Sequence, residues 1–351
     1  MTRRSKRKLL QRGALGALSL AIIVSTFFYF LPTIANYADV WKVVKQLSWE
    51  WAVALLVATV LNLVTFAPPW MVTLPGLSFF RAMEVTQAST ALSIVVPGGV
   101  AVGAAGAYGM LRRRGFPPSE IARAVTLTGL WNQFLNLSFP IVAVFLLTIS
   151  GSQTAALATV AFIGVAVLGI VVAGFVVVLV SNRLARDLGD LVARLATWAR
   201  RKLRRGPVTW GGASFERFRR DAGDFLERRW HLLTVASLAG SLTVFAVLVV
   251  SLRAFNVPAS QVSLIEAFAA WSLVRIIGTI PITPGGIGII ELGLTGALVG
   301  FGGNNAGVVA AVLVYRFLTL VPTLVLGLIA AFTFSRHHGP PDVAEVAGSA
   351  G

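Results

Sequence analysis

The sequence predicts an all-α integral membrane protein, with about six full spans and two re-entrant or broken helical hairpins arranged as an inverted repeat. Three observations carry that expectation. Hydrophobic residues make up 56% of the 351, mean hydropathy is +0.80, and 13% of residues are charged. Several stretches stay apolar for about 18 residues or more, enough to cross a hydrocarbon layer. Finally, a Pro-Gly-Gly interruption occurs twice inside apolar sequence, at Pro97-Gly98-Gly99 and at Pro284-Gly285-Gly286.

In chain order the apolar segments read as 13–32, 51–68, 79–110 with a break, 119–149, 154–181, 231–253, 262–300 with a break, and 306–335. A basic stretch, residues 1–12, precedes the first of them. Thr33-Ile34-Ala35 resembles a signal-cleavage site, but the length of the apolar stretch favours an uncleaved anchor. With the basic end inside, 13–32 exits and 51–68 returns.

The formal charge of +16 follows the same logic. Basic residues crowd the N-terminus, Arg112-Arg113-Arg114 and the interval from Arg183 to Arg229, each beside an apolar span. No aromatic-basic module accompanies the charge, so a nucleic-acid partner is not expected. Cysteine is absent, which excludes disulfides, thiolate metal sites and thiol nucleophiles.

Proline removes a backbone donor and glycine is a poor helix former, so no helix runs smoothly through either interruption. The first break, at Pro97, Gly98 and Gly99, is followed by the arginine triplet. A complete crossing would put those arginines outside; a hairpin that dips in and returns keeps them inside. The second break involves Pro281, Pro284, Gly285, Gly286 and Gly288, between uncharged flanks at 255–263 and 301–307. Reading both as hairpins places almost every basic block inside, together with the C-terminus. The unit span–hairpin–span then occurs twice, at 51–149 and 231–335, with opposite orientation. In such inverted repeats the site lies near the midplane. Two ordinary kinked spans are the simpler alternative.

Ionisable residues at that depth are functional candidates. Arg275 falls near the tip of the second hairpin and Glu291 just past it. Arg316 lies about ten residues into the last span, roughly 15 Å deep. One arginine is expected to pair with Glu291 and the other to remain open to an anion, because the guanidinium fork matches phosphate oxygens. The helix following Pro284-Gly285-Gly286 also aims its positive dipole end at the tip. The competing reading is that Glu291 simply bridges hairpin and span. Tyr315 is a headgroup candidate or a packing residue. Arg253 and Glu266 are placed at the outer interface without a special role.

In the first half, Thr128, Asn132, Asn136 and Pro140 share one helix face, with Gln133 beside them. Two uses stay open: lining a polar passage opposite the arginines, or hydrogen bonding to neighbouring helices. Arg123 is expected to snorkel to lipid phosphates. Glu84 is ambiguous.

The connector 182–230 mixes basic runs with Phe215, Phe218 and Phe225. It reads as amphipathic helices against an anionic leaflet, or as a solvated link. The tail, 336–351, reads as a disordered cytoplasmic segment. His231, His337 and His338 have no metal-ligand spacing, and no Walker loop occurs. No metal, cofactor or catalytic residue is therefore assigned.

The run Pro281-Ile-Thr-Pro-Gly-Gly-Ile-Gly-Ile-Ile-Glu-Leu-Gly293, followed by Ala311-Val-Leu-Val-Tyr315-Arg316, resembles the flippase-like membrane region of lysylphosphatidylglycerol synthases. The resemblance extends from about residue 15 to residue 335 and is most specific in the second half. Where many relatives carry an acidic-arginine pair, this chain has Thr128-Gly129. The resemblance implies lipid translocation rather than lipid synthesis, because no soluble transferase domain follows the last span.

The expected function is a non-enzymatic protein of the cell (inner) membrane with cytoplasmic termini. It would bind and translocate a phospholipid or polyprenyl-type lipid headgroup at Arg275, Glu291, Tyr315 and Arg316. The runner-up is a non-transporting scaffold that recruits a lipid-modifying or envelope-synthesis enzyme through its basic connector.

Overall fold

The computed structural model describes residues 45–95, 99–150, 211–278 and 284–336, with scattered positions between 41 and 201. Regular structure among the described residues is helical, without strands. The helices are α1 (Trp49–Thr65), α2 (Pro68–Thr73), α3 (Phe79–Val95), α4 (Gly99–Arg113), α5 (Pro118–Ile149), α6 (Gly212–Ala254), α7 (Leu264–Gly278), α8 (Ile289–Gly300) and α9 (Asn305–Arg336). A 3₁₀ turn, Pro284–Gly286, lies between α7 and α8.

Among the described residues, four segments are long and apolar enough to cross a membrane: Trp49–Thr73, Pro118–Ile149, Gly212–Ala254 and Asn305–Ala330. The expected span 13–32, most of 154–181 and the tail from His337 lie outside the described residues.

Both interruptions separate helices that then pack on each other, α3 with α4 and α7 with α8. At about 1.5 Å per residue, the 15 residues of α4 and the 12 of α8 reach about 22 and 18 Å. Each falls short of a hydrocarbon core of about 30 Å. Pro97, Gly98 and Pro281 lie outside the described residues. In the second break, Gly285, Gly286 and Gly288 take φ of +61°, +67° and +86°, a region that side chains disfavour. Three such residues within four positions precede α8.

The two halves exchange partners. An offset of 187 residues (from 97 to 284, from 118 to 305) relates the two Pro-Gly-Gly breaks and also the starts of α5 and α9, each 32 residues long. α3 of the first half packs on α9 of the second, α7 of the second packs on α5 of the first, and α1 packs on α6. The breaks themselves approach each other: a Cβ on Gly285 would lie 3.1 Å from Cγ2 of Ile94.

The helix that carries the apolar segment 231–253 extends beyond it: α6 runs unbroken from Gly212 for 43 residues, about 65 Å. Ala222, Phe225 and Leu226 fall at i, i+3 and i+4, and that stripe is buried against Leu127 of α5. Arg123 places its guanidinium 5.4 Å from the Phe225 ring and so packs on this extension. The stripe of Ala222, Phe225 and Leu226 is thus covered by protein, while Trp230 at its end stays exposed. Most of 182–210 lies outside the described residues.

Candidate functional site

Glu291 sits in the first turn of α8 because the glycine turn ends at Gly288. Its Oε2 accepts the Gly288 N–H at 2.6 Å, so the carboxylate caps its own helix, where the dipole favours negative charge. Its Oε1 accepts from Nε of Arg316, on α9, at 2.6 Å. Arg316 also donates from Nη2 to the carbonyl oxygen of Gly285 at 2.8 Å. Glu291 and Arg316 are 4% and 8% exposed. A buried ion pair holds only when its remaining polar atoms are also satisfied, and here the backbone of the break does this. The positive end of α8 is therefore met by an internal anion, and Arg316 is committed to the turn.

Arg275 stands apart from that pair. It lies in the last turn of α7 and donates from Nε to Oδ1 of Asn136, on α5, at 2.7 Å. Nδ2 of Asn136 donates in turn to Oε1 of Gln133 at 3.1 Å. The Arg275 guanidinium lies 5.0 Å from the ring centroid of Trp271, within cation–π range. Among the described residues no carboxylate pairs with Arg275.

Trp271 joins the two arginine environments. Its Nε1 donates to the Tyr315 hydroxyl at 3.3 Å, and Tyr315 precedes Arg316 on α9. The indole is fixed by ring contacts with Phe139 at 5.3 Å, Phe245 at 5.4 Å and Phe268 at 5.8 Å, which draw α5, α6 and α7 together. Arg275 thus rests on a rigid aromatic support, with its charge unpaired by any described carboxylate.

The remaining candidates separate by what they touch. Asn136 bonds across helices, the second of the two uses open to that polar face. Thr128 donates back to the Ala124 carbonyl at 2.7 Å, and Asn132 is half-buried on the same helix. Glu84 pairs with Arg114, closing the base of the first hairpin. Arg253 donates to the carbonyls of Val257 and Val262, and Glu266 accepts from Ser263 at the start of α7, so both organise one loop. Trp271 was not among the sequence candidates. Its spacing four residues before Arg275, on the same helix face, was the available signal.

No curated protein matches the chain in a sequence comparison. The family described as the lysylphosphatidylglycerol synthase TM region matches residues 16–327, an interval that takes in both breaks and every residue of the arginine–glutamate arrangement. With four apolar helices long enough to span a bilayer, the protein is a multi-pass membrane protein. Matched over most of its length, the chain belongs to the lysylphosphatidylglycerol synthase TM-region family.

Proposed function

We propose that this protein binds a phospholipid or related lipid headgroup at Arg275 and moves it between the leaflets of the cell membrane. The observation that carries the reading is the unequal commitment of the two central arginines. Arg316 is neutralised by Glu291 and tied to Gly285, whereas among the described residues Arg275 meets a neutral amide and an aromatic face and no carboxylate. A charge kept at that depth without a carboxylate partner is costly unless a ligand uses it. A phosphate suits it, because the guanidinium offers paired donors in a plane.

The proposed route uses the exchanged halves. α4 and α8 are too short to cross alone, so the two breaks serve as tips of re-entrant hairpins in an inverted repeat. Rocking of one half against the other would expose Arg275 to each side in turn. In this reading both termini are cytoplasmic, and the protein is a transporter rather than an enzyme.

The test is headgroup translocation by the purified protein in liposomes, read from quenching of a fluorescent phospholipid by an impermeant reagent. Arg275→Ala is expected to abolish translocation and Arg275→Lys to retain a fraction of it. Undiminished translocation by a folded Arg275→Ala protein would overturn the assignment.

One observation favours a second reading, a scaffold. The extension of α6 leaves Arg217, Arg220, Arg228 and Arg229 exposed while its apolar stripe is covered. Such a face suits an acidic partner, for instance a lipid-modifying enzyme. Replacing these four arginines by glutamine would abolish a recruiting role and leave translocation intact.

A further inference from the structure

We infer that Gln133 is a second headgroup contact beside Arg275, and that the two select a net anionic headgroup, a phosphate without an ammonium group, over a zwitterionic one. The inference rests on the headgroup reading of Arg275 and adds a substrate class to it.

The argument starts from what each group can offer. A guanidinium has donors and no acceptor. Arg275 therefore meets Asn136 at its amide oxygen, Oδ1, at 2.7 Å. The nitrogen of the same amide then faces the other way and donates to Oε1 of Gln133 at 3.1 Å. With its oxygen turned inward, Gln133 presents Nε2 outward. An amide alone can sit either way round; here each is fixed by the group before it. The charge of Arg275 thus makes the outer end of the relay a donor. Two hydrogen bonds through one amide keep Nε2 of Gln133 within about 10 Å of Nε of Arg275. One headgroup can meet both.

Gln133 is exposed at the centre of α5, a helix of 32 residues that is long enough to span a bilayer. An amide turned to acyl chains there would leave its N–H groups without acceptors, which is costly. The exposed positions around it are not those of a lipid-facing surface. Between 120 and 136 they are Ala122, Thr126, Gly129 and Gln133, at intervals of three and four residues. Nothing lies within 4 Å of a Cβ on Gly129. In the other half of α5 the large exposed residues are Val142, Phe145 and Ile149. The small and polar face leaves room for a headgroup beside Gln133, where bulky apolar residues would seat acyl chains.

The surroundings decide the charge of the ligand. Among the described residues no carboxylate is placed to receive an ammonium at this relay. Glu291 is engaged by the Gly288 amide and Arg316, Glu84 by Arg114, and Glu266 by Ser263. Glu120 lies 13 residues before Gln133, about 20 Å along α5. α6, with its acidic residues, packs on α5 through Leu127 and Trp131, and Gln133 lies about 200° round the helix from Trp131. The indole of Trp271, which could hold an ammonium, carries the Arg275 guanidinium instead. A headgroup here meets one positive charge and N–H donors, so phosphate and hydroxyl oxygens fit. An ammonium would face Arg275 and Nε2 of Gln133 with nothing to accept from it.

The full chain in detergent, offered equal amounts of phosphatidylglycerol, a polyprenyl phosphate and phosphatidylethanolamine, tests this by native mass spectrometry of retained lipid. Wild type is expected to hold one or both anionic lipids about tenfold over phosphatidylethanolamine. Which of the two it holds identifies the source of the phosphate. Gln133→Met keeps the length of the side chain, removes the amide and is expected to reduce the preference several-fold. Gln133→Glu supplies an acceptor and is expected to shift the preference towards phosphatidylethanolamine. Both changes fall at an exposed position, so neither removes buried packing. Equal retention of all three lipids by wild type would overturn the selectivity. Loss of lipid from Arg275→Ala with an unchanged preference in both Gln133 variants would overturn the role of Gln133 and leave Arg275 as the headgroup site. Undiminished retention by Arg275→Ala would overturn both.

Discussion

Arg275 donates from Nε to Oδ1 of Asn136 at 2.7 Å across 139 residues of sequence, and this bond ties the second hairpin to the last long helix of the first half. An amide is an unusual partner for a half-buried arginine of a membrane protein, because it satisfies one donor and leaves the charge uncompensated. The arrangement holds the guanidinium against Trp271, and in the proposed headgroup role an anion would take the place of the amide. Holding and charge compensation are thus separated between the two arginines.

That separation makes Asn136 a sharp probe. Asn136→Asp places a carboxylate against Arg275 and is expected to weaken retention of phospholipid by about tenfold or more, through direct competition with phosphate. Asn136→Ala removes the tether without supplying a charge, and is expected to retain lipid. Native mass spectrometry of the two purified variants makes the comparison, and equal lipid retention by both would contradict the headgroup role of Arg275.

Arg316 and Glu291 are expected to behave as a structural pair. Truncating one leaves the other charged and buried, so Arg316→Ala or Glu291→Ala should each cost about 3–5 kcal/mol of stability. Glu291→Gln with Arg316→Met removes both charges and should recover much of that loss. Unfolding of the singles and the double in one detergent gives the coupling energy directly. A double variant as unstable as the sum of the singles would show that the pair does not act as a unit.

Two glycines inside helices should respond in opposite directions. A Cβ on Gly103 would come 1.9 Å from Oγ of Ser93 and 2.5 Å from the carbonyl oxygen of Ser89, so Gly103→Ala must push α3 and α4 apart. Overpacking of this kind costs about 1–3 kcal/mol. Nothing lies within 4 Å of a Cβ on Gly129, where alanine should stabilise α5 by about 0.5–1 kcal/mol. Thermal unfolding of the two variants separates the cases.

What could be read in advance tracks the range of the interaction. The second break was legible because Pro284, Gly285 and Gly286 act on their own backbone. The expected depth of Arg275, Glu291 and Arg316 rests on counting residues along helices, whereas their partners depend on packing. Partner choice was not legible: Glu291 lies 16 residues from Arg275 and 25 from Arg316, and which arginine it meets depends on how α7, α8 and α9 pack. Asn136 showed its polar helix face but not the arginine that would meet it from the other half. The early start of α6 was masked by charge, because arginines and acids flank the stripe of Ala222, Phe225 and Leu226, and hydropathy averages over all of them.

Orientation of the first hairpin can be decided with the chain's own composition, since it has no cysteine and any introduced thiol is unique. Ser119 and Ser260 are both exposed, the first just after the arginine triplet and the second between α6 and α7. If α3 and α4 enter and leave on one side, Arg112, Arg113 and Arg114 stay cytoplasmic, as the positive-inside tendency favours. α6 then carries the chain across to Ser260. Ser119→Cys should react with an impermeant maleimide only from the cytoplasmic face, and Ser260→Cys only from the outside. Two full crossings by α3 and α4 would instead leave Ser119 on the cytoplasmic side as well, whereas a single crossing shared by both helices, about 48 Å of helix in 32 residues, would move it outside. The length of α4, about 22 Å, argues against the paired crossings, and the three arginines argue against the single one. Labelling of Ser119→Cys from the outside would therefore remove the hairpin and, with it, the inverted repeat on which alternating exposure of Arg275 depends.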